Sequence, residues 1–422
     1  MKKTKIRLSA ICLLLVFALI FSFAGCAVEA QAADLMAGIS AKSVSGKATD
    51  DRFISSQAEL AVKLFKSCVD ESDNKNLLIS PLSIQLALAM TANGANGQTK
   101  AEMEKLLGGD IPLEELNEYL YTYVKSLPSE EKYKLEIANS IWFRDDAERL
   151  TVEKSFLQTN ADYYGAQAYK EPFDQQTVKN INDWVNEHTD GMIKKIIDEI
   201  APDEVLHLIN AIAFDAEWET PYEKFCVNEG VFNSISGDVR NVKMMHSTEH
   251  KYIETDNAKG VIKNYKDGKY AFAALLPDEG VDLYDYINSL SAEKLMAALE
   301  GAEIEPVITA IPKFSYEYGL FIEDILAELG MPTAFSDEAD FSGIVGTSDE
   351  IQISKILHKT FISVDEHGTK AAAITDVATK DSAAMMPEDQ KEVILDRPFV
   401  YMIIDNATNL PIFIGTVTDI QK

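Results

Sequence analysis

The sequence predicts an α+β fold, on three observations. Helical periodicities open the body of the chain, strand-like runs dominate its second half, and the two mix without the regular strand–helix–strand alternation of a doubly wound sheet. No internal repeat and no obvious linker interrupt residues 51–422, which are therefore expected to form a single domain. With 46% hydrophobic residues in a chain of 422, a large core is within reach.

In chain order, "LAVKLFKSC" first places Leu60, Leu64, Phe65 and Cys68 on one helical face. Ser80 before Pro81 is a helix start, the serine capping and the proline filling the first turn. The helix "PLSIQLALAMTAN" then runs to Gly94. Thr99 with Glu102 three residues later has capping-box spacing, for a helix ending at "LLGG". "YKLEIANSIWF" alternates Leu135, Ile137, Asn139, Ile141 and Phe143 on one side of a strand. A long amphipathic helix is expected over "VKNINDWVNEHTDGMIKKII". "VLHLINAIAF", "YAFAALLP" and "VITAIPKFSYEY" read as strands, "LFIEDILAELG" as a helix and "IQISKILHKTFISV" as a strand again. The end, "PFVYMIIDNATNLPIFIGTV", gives two apolar strands around an Asn-rich turn.

The N-terminus reads as an export signal: Lys2, Lys3, Lys5 and Arg7 precede the apolar run "LSAICLLLVFALIFSFAGC". "FAGC" resembles a bacterial lipobox, whose cysteine, here Cys26, would be lipidated. Phe23 stands where an aliphatic residue is usual. Cleavage after "AQA" (Ala30 to Ala32) would instead release a secreted protein, and a retained anchor is a third option. Residues 1–26 are expected as the signal and 27–50, rich in Ala, Ser, Gly and Lys, as a flexible tether. Removing residues 1–26, with four basic and no acidic side chains, takes the formal charge from −29 to −33, and the remaining body has no basic run, which argues against nucleic acid and anionic membrane as partners. Membrane contact is expected only through a lipid on Cys26. Outside the signal only Cys68 and Cys226 remain, both expected as buried thiols rather than as a disulfide or zinc site.

No nucleophile elbow, phosphate loop, dinucleotide fingerprint or H-E-x-x-H helix is present, so no catalytic residue, metal or cofactor is assigned. The six histidines are His188, His207, His246, His250, His358 and His367. His246 and His250, in "HSTEH", are metal-spaced but lie in a polar stretch between strand-like segments, which reads as surface.

At "LLISPLSIQLALAMTANGANGQTKAEMEKLLG" the sequence resembles the serpin (serine protease inhibitor) family. "NSIWF", "INDWVNEHTDGMI", "LINAIAFDAEW", "LGMPTAFSDEADFSGI" and "RPFVYMIIDNATNLPIFIG" carry the likeness through most of residues 52–422 in the family's order. The resemblance implies a serpin fold: three β-sheets, eight to nine helices and an exposed reactive-centre loop. It implies that Ser80, Ser83, Asn210 and His358 form a polar cluster where the main sheet parts, with Trp218 at the top of that opening. Asp215 and Glu217 in "FDAEW", and Met192, depart from residues common in the family.

In an inhibitory serpin the segment after "EHGT" is bait. The target protease is acylated at one bond, and the freed strand then inserts into the main sheet, a form of strand addition. The expected hinge is Glu366, Gly368, Thr369, Ala371, Ala372, Ala373 and Thr375. Read as a strand from Thr369, one face carries Thr369, Ala371, Ala373, Thr375, Val377 and Thr379, small and uncharged. Lys370, Asp376 and Lys380 all fall on the other. Gly368 is expected to give backbone freedom at the hinge. The family's usual hinge length puts the reactive bond between Ser382 and Ala383, suiting elastase-like or subtilisin-like proteases. A shorter register offers Lys380 to a trypsin-like enzyme, and a longer one Met385 or Met386. The expected activity is thus suicide inhibition of an extracellular serine protease, by a monomer that forms a covalent complex with it. A serpin-fold binding protein that never inhibits is the alternative.

Overall fold

A computed structural model describes residues 32–127, 130, 133–145, 150–346, 351–369 and 390–421. Its helices are α1 (Asp51–Asp70), α2 (Pro81–Ala92), α3 (Gly97–Gly108), α4 (Leu113–Ser126), α5 (Lys154–Tyr164), α6 (Gln175–His188), α7 (Leu283–Ser289), α8 (Ala292–Glu300), α9 (Glu323–Glu328) and α10 (Ser342–Val345). The first strands are β1 (Ala33–Asp34), β2 (Leu77–Ile79), β3 (Tyr133–Arg144), β4 (Gln167–Glu171), β5 (Leu206–Glu217), β6 (Val227–Asn233), β7 (Val239–Glu254) and β8 (Ala258–Asn264). They are followed by β9 (Tyr270–Pro277), β10 (Glu303–Pro312), β11 (Phe314–Phe321), β12 (Lys355–Val364), β13 (Gly368–Thr369), β14 (Lys391–Ile394), β15 (Phe399–Asp405) and β16 (Pro411–Val417). Ten helices among the described residues slightly exceed the eight or nine expected, because α9 and α10 are single short turns.

The main sheet has the order β1-β4-β3-β5-β13-β12-β11. The remaining strands run β14-β10-β7-β8-β9-β15-β16-β2, with β6 beside β7. Here the second and third expected sheets are joined into one ladder: the 16-residue β7 pairs with β6 near its start and with β8 at its end, and β10 spans both parts. The stretch read as one strand, "VITAIPKFSYEY", is two, because the chain passes from this ladder to the main sheet at Lys313. The main sheet is packed on both faces. On one, Trp142, Ile181, Val185, Ile209, Ala211, Ala213 and Leu357 bury against α6 and the segment after it. On the other lies the principal core, which includes α2, buried at all twelve of its residues.

Local chemistry explains most boundaries. Asp50 caps α1 by accepting the N–H of Phe53. Leu60, Leu64, Phe65 and Cys68 are all buried along that helix. Ser80 accepts the N–H of Ser83 at the start of α2, with Pro81 in the first turn.

Three expectations are corrected. Thr99 and Glu102 form no capping box, since α3 starts at Gly97. Thr99 Oγ1 instead accepts the N–H of Asp340 (2.9 Å), and the Glu102 carboxylate takes both the N–H and the hydroxyl of Thr333. Tertiary partners have claimed both side chains. The long helix ends at His188, where Asp190 and Gly191 turn left-handed (φ 52° and 75°) and the Thr189 hydroxyl accepts the N–H of Ile193. Beyond that turn the chain forms a strap whose Ile193 and Ile197 pack on the main sheet. Cys226 is only half-buried, on a short turn, whereas Cys68 is buried.

Residues 33–50, expected as a flexible tether, lie against the body. β1 pairs antiparallel with β4, and Leu35, Met36 and Ile39 pack on the core. Lys47 pairs with Glu115. Composition misses this because the partner is the free edge of β4, an edge that takes up a strand of almost any sequence.

Candidate functional site

The main sheet has an unusual centre. β5 and β12 run parallel and pair directly from Lys355↔His207 to Thr360↔Ile212. Above that seam they part, and β13 sits between them, antiparallel to both: Gly368↔Glu217, Thr369↔Ala216 and Thr369↔Val364. Parallel pairing is slightly the weaker kind, so the seam is the natural place for the sheet to open.

The polar residues singled out from the sequence gather on that seam. Asn210 and His358 are register partners across it. His358 Nδ1 lies 2.5 Å from Asn210 Oδ1, and His358 Nε2 accepts the N–H of Ser80 at 3.1 Å. Since Nε2 is the acceptor, the proton sits on Nδ1 and is donated to Asn210. Asn210 Nδ2 in turn reaches Ser83 Oγ and Asn139 Oδ1, both at 2.6 Å. Asn139 joins the cluster although sequence reasoning read it only as one member of an alternating face. Its place there, polar among apolar neighbours, was the signal.

Burial pushes the His358 imidazole down from its ordinary 6.5 to about 3, so it is neutral at pH 7. The unfolded chain takes up a proton below pH 6.5 and the folded one does not. The stability contributed by the neutral form is therefore complete above pH 6.5 and is lost as pH falls from there toward 3, at roughly 1.4 kcal/mol per unit. Thermal melts from pH 7.5 to 5.0 should show this slope, and His358→Gln should flatten it. Equal slopes in the two proteins would refute the assignment.

The hinge is seated rather than free. Thr369 is 1% exposed, and its hydroxyl bonds the Tyr265 hydroxyl. A Cβ on Gly368 would lie 2.0 Å from the carbonyl oxygen of Ala216. Close backbone approach, not the conformational freedom expected from the sequence, is what requires glycine there. Glu366 pairs with Lys313, which holds its carboxyl below the usual range against the opposing effect of burial.

Three aromatic side chains bracket the turn before the hinge. The Trp218 indole donates to the Asp365 carbonyl and the Trp218 N–H to that of His367, both at 2.8 Å. The Tyr222 N–H donates to the Glu366 carbonyl at 2.9 Å. Trp218 stacks on Tyr265 with ring centres 4.5 Å apart, nearly parallel. Tyr222 and Tyr265 were not foreseen, and nothing local in the sequence marks them. Ala371, Ala372, Ala373, Thr375, Ser382 and Ala383 lie outside the described residues, as does Cys26. His246 and His250 are exposed on β7, and the described residues contain no group of three metal-ligating side chains. No helix of the described residues is long and apolar enough to cross a membrane.

A parallel central seam over a buried polar cluster, with a two-residue antiparallel strand seated at its top, is the arrangement the described residues make. The chain belongs to the serpin family: the model described as Serpin (serine protease inhibitor) matches residues 55–420. A serpin-like protein of Thermococcus kodakarensis is 32% identical over 81% of this chain and 80% of its own. Human Serpin B8 is 30% identical over 86% and 98%. Among solved structures, the thermophilic serpin Tengpin in its native state is 51% identical with a TM-score of 0.88, covering 92% of this chain and all of that one. Members of the family are in general protease inhibitors and not themselves enzymes. Its neighbours also include thyroxine-binding globulin complexed with thyroxine, 25% identical at a TM-score of 0.78 over 87% of this chain and 99% of that one.

Proposed function

We propose that this chain is an exported bacterial inhibitor of serine proteases that traps its target as an acyl-enzyme. The observation that carries the reading is the placement of Thr369, already paired in the register of a central strand between β5 and β12. Continuing that register downward would set Thr375 opposite Asn210. It would also turn Thr369, Ala371, Ala373, Thr375 and Val377 toward the principal core, the face whose residues are small and uncharged. Insertion therefore asks for no charge to be buried on that side.

The bait bond is Ser382–Ala383, and the target is an elastase-like or subtilisin-like enzyme met outside the cell. Lys380 would offer a trypsin-like enzyme an alternative bond. The protein acts as a monomer without cofactor, either released or held by a lipid on Cys26. A binding protein that never inhibits is supported only by the likeness to thyroxine-binding globulin, and the smooth hinge speaks against it. Incubation with elastase and with trypsin tests the reading. An inhibitor yields an adduct that survives SDS, and mass spectrometry of the released C-terminal peptide identifies the bond. Clean cleavage without adduct by every serine protease tried would refute it.

A further inference from the structure

Behind the aromatic bracket sits a buried cation. Lys263, on β8, is 3% exposed. Its Nζ donates to Glu249 Oε1 at 2.7 Å and to the Thr220 carbonyl at 3.2 Å. It also lies over two rings, 4.6 Å from the centre of Tyr222 and 5.5 Å from that of Trp218. The Ser247 hydroxyl donates to the same Glu249 oxygen at 2.6 Å, so that one oxygen takes both donors.

One ammonium group thus grips the Trp218–Tyr222 segment at three points: both ring faces and the carbonyl between them. That segment in turn supplies the three hydrogen bonds that hold residues 365–367. A buried ion pair is a costly way to fill this volume, and apolar residues of similar size would fold as well or better. The geometry shows what the charge adds, which is direction: a methionine could fill the space but could not aim the Thr220 carbonyl or hold two rings by their faces.

We propose that Lys263 is a positioning residue for loop insertion, a role that rests on the inhibitory reading above. Because Thr369 already has the register of the finished strand, residues 365–368 need not move while the loop zips in behind them. They are the stationary end of the incoming strand, and Lys263 keeps that end stationary through Trp218 and Tyr222. Slack there slows the first pairings, and insertion then loses its race against hydrolysis of the acyl-enzyme.

The test compares the wild type with the double variant Lys263→Met/Glu249→Met, which leaves no charge uncompensated. The readouts are the ratio of SDS-resistant adduct to cleaved inhibitor with elastase, the melting temperature of the uncleaved protein, and hydrogen exchange at the Trp218 and Tyr222 amides. The double variant should melt within a few degrees of wild type while its adduct ratio falls about fivefold, the worth of roughly one net hydrogen bond. An unchanged ratio overturns the proposal. So does a ratio that falls only together with a collapse in melting temperature, since the role is then structural. If the wild type forms no adduct, the inhibitory reading is what fails. Exchange then decides about the bracket: a rise of about tenfold in the double variant upholds the grip of Lys263, and unchanged exchange removes it.

Discussion

Cutting the chain once between residues 370 and 389 is expected to raise its melting temperature by about 10 °C or more. In the intact protein β5 and β12 share one parallel ladder below Thr369, from Lys355↔His207 to Thr360↔Ile212. A strand entering there replaces that single ladder with two antiparallel ones, the arrangement already made by Gly368 and Thr369. With on the order of ten additional backbone hydrogen bonds, each worth about 1 kcal/mol net, the gain exceeds the whole stability of many domains. At about 1.2 °C per kcal/mol, the value for a chain of roughly 400 residues at about 2.1 cal/mol/K of unfolding entropy per residue, a shift of that size results. Calorimetry of intact and nicked protein measures it. A nicked form that melts within a few degrees of the intact one would mean that the loop stays outside.

The second large effect is at Thr369. Its side chain is buried, with its hydroxyl on that of Tyr265, the ring on which Trp218 stacks. An arginine there would have to bury an uncompensated charge at a pairing the intact protein already makes, at a cost of several kcal/mol, so the start of the incoming strand would be displaced from the sheet. Since each 1.4 kcal/mol is a factor of ten, Thr369→Arg should lower the adduct yield about a hundredfold or more and leave a cleaved substrate. Thr369→Ser, which keeps the hydroxyl, should still trap. Adduct yield from the arginine variant equal to that of the wild type would show that trapping does not need this position seated in the sheet.

Much of the fold could be read from the residues alone because local and tertiary demands agree there. Ser80 and Pro81 start a helix by their own chemistry, and α2 is apolar all round because it is buried all round. Reading failed where a partner remote in sequence took a side chain away from its local use, as Asp340 and Thr333 did with Thr99 and Glu102. It failed again at residues 33–50, whose plain composition conceals a strand that exists only because β4 has an open edge. At the site, Ser80, Ser83, Asn210 and His358 were placed together through a family resemblance and converge on one seam. Tyr222, Tyr265 and Lys263 escaped notice. A tyrosine just outside a strand or a lysine within one says nothing of what it touches, and the strands on either side must fold before the bracket exists.

That Thr369 is fixed makes the rest of the loop a ruler. With its origin clamped at Ala216, each further residue of an inserting strand would, on the proposed mechanism, mark about 3.4 Å along the sheet and alternate between its two sides. On that mechanism, the residue that carries the trapped enzyme would come to rest wherever the count ends. Adding or deleting one residue upstream of the scissile bond would therefore do more than lengthen a loop. It would carry the cargo one notch farther or leave it one short, and would turn every later side chain to the wrong side of the sheet. For a molecule with the proposed function, the spacing of the bait is as much a part of the trap as its chemistry.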